Sequence, residues 1–305
     1  MSIFQLGSII RNRREELGYS QEDLADGICS VPTLSRIENG ERMPTKNHYE
    51  MLMQRLGYSA LSLDFFTDKT DFLIHELKFK IRHAYIEKDF GRCRKLLEEL
   101  VAAPNEKTPV DEQFICLYDT LLNQKSMPVS EKLQRLENAL RLTCRKYCDG
   151  FVPSVLSYEE IILLNNIGIC YDALGQRERT IELLYTIVHY YEQQVVSSEE
   201  ALRTQPMIFY NLSAVLGRVG RYDECIQICN QGISLMRRTY RCHDYGRIMY
   251  NRAWAHIHRD QPGDKEIGRE SLRKAYFYAY AMDNQVDMNI FQQKYREVFS
   301  KDIIF

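Results

Sequence analysis

The stretch LNNIGICYDALGQRERTIELL, residues 164–184, decides the fold class of this chain. Its apolar spacing predicts two helices that are joined by a tight turn at Leu174–Gln176. The same layout returns 45 residues later as YNLSAVLGRVGRYDECIQIC, residues 210–229, and a weaker third copy, YNRAWAHIHRD, follows at residues 250–260. Repeats of paired helices at this period are typical of a helical solenoid. The stretch therefore predicts an all-α repeat domain.

Composition places the chain among ordinary globular proteins. Of its 305 residues, 45% are apolar and 27% are charged. The net charge of −2 gives no overall basic field of the kind that favours nucleic acid or membranes. The N-terminal sequence MSIFQLGSIIRNRREE does not resemble a signal peptide, and no apolar run is long enough to span a membrane. We therefore expect a cytoplasmic protein with no membrane partner.

The nine cysteines are scattered, but two pairs, Cys144/Cys148 and Cys225/Cys229, are spaced four residues apart. That spacing puts each pair on one helix face, which suits either a metal or redox pair or two buried thiols. No CxxC motif occurs, and no histidine lies at zinc-finger spacing from either pair. The sequence favours buried, reduced thiols, with no metal and no cofactor.

Residues 1–59 form an N-terminal domain, which we predict as four helices: Ile3–Leu17, Gln21–Ile28, Val31–Asn39 and Thr45–Leu56. Ser20 and Ser30 are suited to cap the second and third helices. Pro32 falls in a first turn, where its missing N–H costs nothing. Two short helices joined by a tight turn, the second opening with small polar residues, form a helix-turn-helix.

The segment SQEDLADGICSVPTLSRIENGERMP, residues 20–44, resembles the Cro/repressor-like DNA-binding domain of the XRE family. The resemblance implies a lambda-repressor-like fold whose third helix enters the major groove of double-stranded DNA. It implies phosphate contacts from residues of the first two helices and base contacts from the third helix, whose Asn39 would lie near the DNA backbone. The side chains concerned are Gln21, Val31, Pro32, Thr33, Ser35, Arg36, Asn39, Arg11 and Arg14.

Two features modify the expected DNA contact. The pair Val31-Pro32 departs from the polar residues usual at the start of the recognition helix, which implies apolar contacts to bases there. Residues 1–59 also carry seven Lys/Arg against eight Asp/Glu, so that a single copy would bind DNA weakly. We therefore expect a homodimer on two half-sites, as in an inverted-repeat operator.

Residues 60–70 form a connector that is too apolar for a flexible tether, and we expect it to dock on a neighbour. Residues 71–282 are predicted as helical pairs, and residues 283–305 as a helix that caps the array. The pairs are Phe72–Glu87 with Phe90–Ala102, Val110–Lys125 with Val129–Cys148, Tyr158–Leu174 with Arg177–Val195, Pro206–Val219 with Tyr222–Tyr240, and Asp244–Arg259 with Lys265–Met282. They resemble tetratricopeptide repeats, which implies a right-handed superhelix with a concave, peptide-binding face.

Asn166, Asn211 and Asn251 hold the same position in the three copies. The tetratricopeptide resemblance implies that this position grips the backbone of a bound peptide, because an amide can satisfy a peptide N–H and C=O together. An asparagine that bonds a neighbouring helix is the alternative. Helical periodicity adds the other groove residues, with two cations from the first pair: Ile162, Ile169, Met207, Tyr210, Arg218, Arg247, Tyr250, Trp254 and His258, with Lys78 and Arg82.

An XRE-type helix-turn-helix followed by about five such pairs resembles the RRNPP group of peptide-sensing regulators of Gram-positive bacteria. The resemblance implies a cytosolic, homodimeric transcription factor of a quorum-sensing system, controlled by a short signalling peptide in the groove. One alternative is a DNA-tethered scaffold whose repeats bind a partner protein. Another is a repeat protein that modulates an enzyme, against which the helix Val31–Asn39 counts. No glycine-rich phosphate loop, GxSxG or HExxH motif occurs, so the sequence predicts no enzyme.

Overall fold

The computed structural model describes residues 3–57, 69–104, 106–144, 147, 155–193, 199–240 and 242–303. This part of the chain consists of helices and their connections, which confirms the all-α fold class. The chain divides into two compact units: the first unit is residues 1–174 and the second unit is residues 175–305. Of the connector predicted at residues 60–70, only the last two residues are described, so its docking lies outside the described residues.

The first unit contains nine described helices, which begin with the helix-turn-helix and continue as helical pairs. They are α1 (Ile3–Glu16), α2 (Gln21–Ala25), α3 (Val31–Glu38), α4 (Lys46–Arg55), α5 (Lys69–Ile86), α6 (Phe90–Ala102), α7 (Pro109–Asn123), α8 (Val129–Arg141) and α9 (Tyr158–Ala173). The second unit continues the pairs. Its described helices are α10 (Arg177–Gln193), α11 (Glu199–Arg218), α12 (Tyr222–Thr239), α13 (Tyr245–Arg259), α14 (Asp264–Ala281) and α15 (Gln285–Phe299).

Side-chain caps set where several helices of the first unit begin. Ser20, Thr108 and Ser157 precede α2, α7 and α9, and each accepts a hydrogen bond from the backbone N–H three residues later. In all three the acidic residue at that third position bonds back to the cap, which completes a capping box.

The N-terminal helices share a hydrophobic core with the helical pairs that follow. Leu6, Leu34 and Leu52 of α1, α3 and α4 are almost fully buried in it. Val110 of α7 and Val155, just before α9, belong to the same core. The boundary predicted at residue 59 therefore falls inside one compact unit.

The helix α8 ends at Arg141, whereas the sequence predicted a helix that continues to Cys148. The Thr143 hydroxyl and the Cys144 thiol both donate to Oε1 of Glu160, at 2.6 and 3.1 Å. These bonds join Thr143 and Cys144, which follow α8, to the first turn of α9. The expected shared helix face of Cys144 and Cys148 is therefore wrong for Cys144, and Cys148 lies outside the described residues.

The helix α11 begins at Glu199, whereas the sequence predicted a start at Pro206. Thr204, Gln205 and Pro206 are all buried, and the hydroxyls of Tyr191 and Thr204 lie 3.0 Å apart. Packing holds this turn helical even though Pro206 donates no backbone hydrogen bond.

Gly175 and Gly220 occupy equivalent turns in the two repeat copies. Both have positive φ, 79° and 81°, a conformation that a side chain would strain. Each turn precedes the second helix of its pair, α10 or α12. Within the described residues, no helix is both long and apolar enough to cross a membrane.

Candidate functional site

The helix α3 is fixed in place by its inward side. Ser30 caps it by accepting from the backbone N–H of its third residue, and Leu34 and Ile37 are almost fully buried. A Cβ atom at Gly7 of α1 would overlap the Ile37 carbonyl oxygen and lie 2.7 Å from that of Glu38. Only glycine allows the two backbones to approach this closely. Sequence reasoning missed Gly7, because its neighbour lies 30 residues away in the chain.

The outward side of α3 and its C-terminal end carry three of the predicted DNA contacts. Pro32, Arg36 and Asn39 follow one another at one-turn spacing and are exposed. The remaining predicted contacts of this helix are half-buried: Val31, Thr33 and Ser35. Within the described residues, the Arg36 guanidinium forms no ion pair or hydrogen bond. α3 therefore presents an uncompensated cation on its exposed face.

Arg14 is part of a buried network and does not face solvent. Its guanidinium donates to both carboxylate oxygens of Glu38, at 2.7 and 2.9 Å, and to the Tyr19 carbonyl oxygen at 2.9 Å. The hydrogen bonds to Glu38 raise the pKa of Arg14. The expectation that Arg14 contacts phosphate is therefore corrected, because its charge neutralises a buried carboxylate. Gln21, half-buried, also donates to Glu38, at 2.8 Å, whereas Arg11 is exposed.

Lys78 and Arg82, predicted as peptide contacts, are engaged inside the first unit. The Nζ of Lys78 lies 2.6 Å from Asp111 and 3.1 Å from Glu50. Burial opposes the charge on Lys78, but the two carboxylates outweigh it, so its pKa lies above the ordinary value. Arg82 donates from Nε to Glu159 at 2.9 Å. Both expectations are corrected, because these cations neutralise buried carboxylates on neighbouring helices.

Arg55 connects the helix-turn-helix to the helical pairs, and sequence reasoning missed it. Its side chain is 1% exposed, and its guanidinium lies 3.3 Å from Oε1 of Glu160 on α9. The same guanidinium donates to the carbonyl oxygens of Leu24 and Thr143, at 3.4 and 3.2 Å. Burial would raise the pKa of Glu160, but Arg55 and the hydrogen bonds of the site outweigh burial and lower it.

The first unit also holds one of the three repeated asparagines. The Asn166 amide donates to the Ile162 carbonyl oxygen of its own helix at 2.9 Å. Asn166 and Ile162 are half-buried, and Ile169 is exposed. Asn211 and Asn251 belong to the second unit.

A cavity of about 180 Å³ opens between α11 and α13 in the second unit. Seven residues line it, four of them predicted for the groove: Arg218, Tyr250, Asn251 and Trp254, with Ser213, Ala214 and Gly217. A Cβ atom at Gly217 would lie 3.5 Å from Cδ1 of Trp254, so the glycine leaves space beside the indole. Sequence reasoning missed Ser213 and Gly217, although Ser213 is the repeat equivalent of the small Gly168.

Asn251 uses its amide nitrogen inside the protein. The nitrogen donates to the Tyr210 carbonyl oxygen at 3.1 Å and to the Ser213 hydroxyl at 2.9 Å. The Asn251 nitrogen therefore bonds a neighbouring helix, which was the alternative to a contact with a bound peptide. Its side-chain oxygen accepts no hydrogen bond from the described residues, and the residue lines the cavity. Asn211 is half-buried.

Aromatic and cationic side chains extend from the cavity. The rings of Trp254 and the exposed His258 stack at 4.0 Å, and the Nζ of Lys294 lies 4.4 Å from the Trp254 ring. Tyr250 stacks on Phe291 at 5.3 Å. Lys294 and Phe291 belong to α15, which the sequence predicted only as a cap. The terminal helix thus contributes to the predicted groove.

An ion pair lies at the other end of the aromatic surface that Tyr210, Tyr250 and Trp254 form. The Arg247 guanidinium lies 5.7 Å from the Tyr210 ring and donates to Asp287 at 3.2 Å. Burial opposes the charge on Arg247, but Asp287 outweighs it and raises the pKa of the guanidinium. Met207 and Tyr210 are half-buried. The arrangement offers an aromatic surface with an ion pair at each end, Arg247 with Asp287 and Lys294 with Glu297.

The paired cysteines of α12 lie in the core. Cys225 and Cys229 are fully buried, and burial raises the pKa of the Cys229 thiol. The Cys225 thiol donates to the Ser213 carbonyl oxygen at 3.2 Å. In the part of the chain that the structure describes, no three potential metal ligands come together.

Comparisons with known proteins agree with this fold. The family profile of the helix-turn-helix matches residues 10–63, and that of the RNPP family C-terminal domain matches residues 132–299. The fold is similar to that of Bacillus thuringiensis PlcR in complex with the peptide PapR7 and DNA. Identity is 18%, the alignment covers 98% of this chain and 100% of PlcR, and the TM-score is 0.60.

Two structures of ComR are also similar. ComR from S. thermophilus, in complex with DNA and its signalling peptide ComS, is 16% identical. That match covers 96% of this chain and 99% of the other, with a TM-score of 0.53. The apo form of the competence regulator ComR from Streptococcus vestibularis is 18% identical, covers 97% and 99%, and has a TM-score of 0.54. Among curated proteins none matches the chain.

Proposed function

This chain belongs to the RNPP family, and from that premise we propose that it is a DNA-binding transcriptional regulator controlled by a short signalling peptide. We place it in the cytoplasm as a homodimer that acts in quorum sensing. One observation carries the proposal. Four residues that the repeats predict for the groove line one cavity together: Arg218, Tyr250, Asn251 and Trp254.

The DNA-binding side of the proposal rests on α3. Its exposed stripe of Pro32, Arg36 and Asn39 has the length of about two helical turns, which suits insertion into the major groove. Arg36 is uncompensated within the described residues, so it can form two hydrogen bonds to a guanine edge. At the flanks, Arg11 is exposed and pairs only with the exposed Glu15, at 3.0 Å, so it can turn to a phosphate. Gln21 donates one amide hydrogen to Glu38 and keeps the second for a phosphate contact.

The peptide-binding side rests on the cavity of the second unit. Its volume of about 180 Å³ accommodates one large apolar side chain, with Trp254 and Tyr250 as walls. The free side-chain oxygen of Asn251 can accept a hydrogen bond from the peptide backbone. Lys294 lies over the Trp254 ring and pairs with the exposed Glu297 at 3.4 Å, and a carboxylate of the same peptide can take the place of Glu297.

Regulation requires that the peptide prefer one arrangement of the homodimer over another, because a ligand that binds both equally shifts nothing. The helix-turn-helix shares its core and the Arg55–Glu160 ion pair with the first helical pairs. A change in the placement of these first helical pairs would therefore move the DNA-reading helix of each protomer with it.

Intrinsic fluorescence tests peptide binding, because Trp254 is the only tryptophan in the chain. We expect members of a synthetic heptapeptide library to change its emission saturably, with dissociation constants in the micromolar range or below. Tyr250→Ala should weaken that binding about tenfold or more, through the loss of one aromatic wall. The matched control is Tyr240→Ala, which removes a tyrosine that is 90% exposed outside the cavity.

The same titration separates the proposal from the scaffold alternative. If no peptide changes Trp254 emission, and a folded protein instead binds the repeats, the groove is not a peptide receptor. An equal loss of peptide affinity in Tyr240→Ala and Tyr250→Ala would also contradict the proposed site.

A further inference from the structure

A second cavity, of about 340 Å³, lies between α12, α13 and α14 in the second unit. On α13 it is lined by Tyr245, Met249 and Arg252, whereas the groove cavity uses Tyr250, Asn251 and Trp254 of the same helix. At 100° per residue these two sets project from opposite sides of α13. The second cavity is therefore distinct from the proposed peptide site.

The charged residues that line this cavity all have the same sign. Arg237 of α12, Arg252 of α13 and Lys274 of α14 contribute to its wall, which contains no carboxylate. Just outside the wall, the exposed Glu270 pairs with Lys274 at 2.5 Å. Two positive charges therefore remain uncompensated at the cavity.

The two arginines are suited to hold an anion in different ways. Arg252 is fixed, because its Nε donates to Asn230 at 3.0 Å and its Nη1 to the Ser271 hydroxyl at 2.8 Å. That leaves Nη2 of a positioned guanidinium for a ligand. Arg237 is exposed and has no ion pair or hydrogen bond from its side chain within the described residues. It can close over a bound group.

The positive electrostatic potential around the cavity lowers the pKa of a neighbouring carboxyl group, that of Glu270. The hydrogen bond and charge of Lys274 lower the pKa of Glu270, and the charges of Arg252 and Arg273 lower it further. Cations gathered around a concave surface repel one another unless an anion joins them. The lining also includes apolar atoms of Ile233 and Met249, both buried.

We propose that this cavity binds a small phosphorylated organic molecule, with its phosphate between Arg237, Arg252 and Lys274 and its body against Ile233 and Met249. A phosphate offers several oxygens and up to two negative charges, which matches two guanidinium groups and an ammonium better than one carboxylate does. The volume lies within the range of small-molecule sites. The ligand is a second one, beyond the signalling peptide.

Isothermal titration calorimetry on the full-length protein tests the site with adenosine 5′-monophosphate and glucose 6-phosphate as probes. We expect at least one of them to bind, with adenosine and inorganic phosphate each weaker by about tenfold or more, since each lacks half of the recognised groups. Arg237→Ala should lower the affinity about tenfold without lowering the melting temperature, because Arg237 makes no side-chain bond in the described residues.

Arg238→Ala is the matched control, since Arg238 is exposed on the same helix and does not line the cavity. Its affinity for the probe should equal that of the unmodified protein. The proposal is overturned if neither phosphate ester binds, or if inorganic phosphate binds as tightly as the esters. It is also overturned if Arg238→Ala weakens binding as much as Arg237→Ala, which would indicate a diffuse charge effect.

Discussion

Replacing Glu160 with glutamine is expected to loosen the N-terminal helices from the helical pairs that follow them. Glu160 and Arg55 are 2% and 1% exposed at their side chains, and their charged atoms lie 3.3 Å apart. The substitution removes one charge and leaves the Arg55 guanidinium buried without its counterion. The hydrogen bonds from Thr143 and from the Ser157 backbone to Glu160, both 2.6 Å, also lose a charged acceptor.

The cost of this change follows from burial. Removing one partner of a buried ion pair destabilises a protein by about 3–5 kcal/mol, because the other charge stays desolvated. A domain is stable by only about 5–15 kcal/mol, so the loss is a large fraction of the total. An exposed pair gives the contrast. Arg135 and Asp119 lie 3.0 Å apart but are 43% and 44% exposed, so Asp119→Asn should cost less than about 1 kcal/mol.

Urea unfolding of the two variants measures both values, and hydrogen exchange reports where protection is lost. We expect Glu160→Gln to increase exchange in residues 3–57, whereas Asp119→Asn leaves it unchanged. The double variant Arg55→Met/Glu160→Met should be less destabilised than the sum of its single changes, since neither charge is then left alone. The reasoning is refuted if Glu160→Gln costs no more than Asp119→Asn, or if the two methionine changes are additive.

Three further predictions follow from single positions. Gly7→Ala should destabilise the helix-turn-helix by about 1–3 kcal/mol in urea unfolding, because its Cβ meets backbone atoms of α3. Gly91→Ala is its control, since the nearest atom there is 3.7 Å away, and an equal loss would contradict the steric account. Arg36→Ala should weaken binding to DNA from upstream of the gene by about 1–3 kcal/mol in mobility shifts. Arg92→Ala, which removes an exposed arginine of α6, should leave that binding unchanged. Sequence-specific binding that survives in Arg36→Ala would mean that α3 does not read the bases. Lys78 and other partners lower the pKa of Asp111 despite burial, so this carboxylate stabilises the fold above its unfolded pKa. That contribution should disappear as pH falls below about 4, and Asp111→Asn should flatten this part of the stability–pH curve; an unchanged slope would show that the pair is not formed.

Local patterns predicted the helices of this chain well. The turn at Leu174–Gln176 and its copy 45 residues later form because glycine at both places takes a left-handed conformation. Periodic spacing along α13 also placed Tyr250, Asn251 and Trp254 on one side, where the cavity is found. Both predictions depend on residues within one or two turns of each other, which a sequence shows directly.

Predictions that depended on distant partners failed. Lys78 was predicted to contact the peptide, but it is buried and pairs with Asp111, which lies 33 residues later in the chain. Arg14 is likewise neutralised by Glu38, 24 residues away. Glu38 ends α3 beside the buried Leu34 and Ile37, and this position was a usable signal, because a buried carboxylate needs a cation. The predicted helix start at Pro206 was wrong for the same reason, because tertiary packing keeps the residues before Pro206 helical from Glu199 onward.

The DNA affinity of the full-length protein with and without a bound peptide tests the central claim most directly. It is measured by fluorescence anisotropy on labelled DNA from upstream of the gene, using a heptapeptide selected by the Trp254 titration. We predict that saturating peptide changes the dissociation constant for DNA by at least about fivefold, and that Trp254→Ala abolishes the change while leaving the peptide-free affinity intact. An unchanged DNA affinity at saturating peptide would contradict the account.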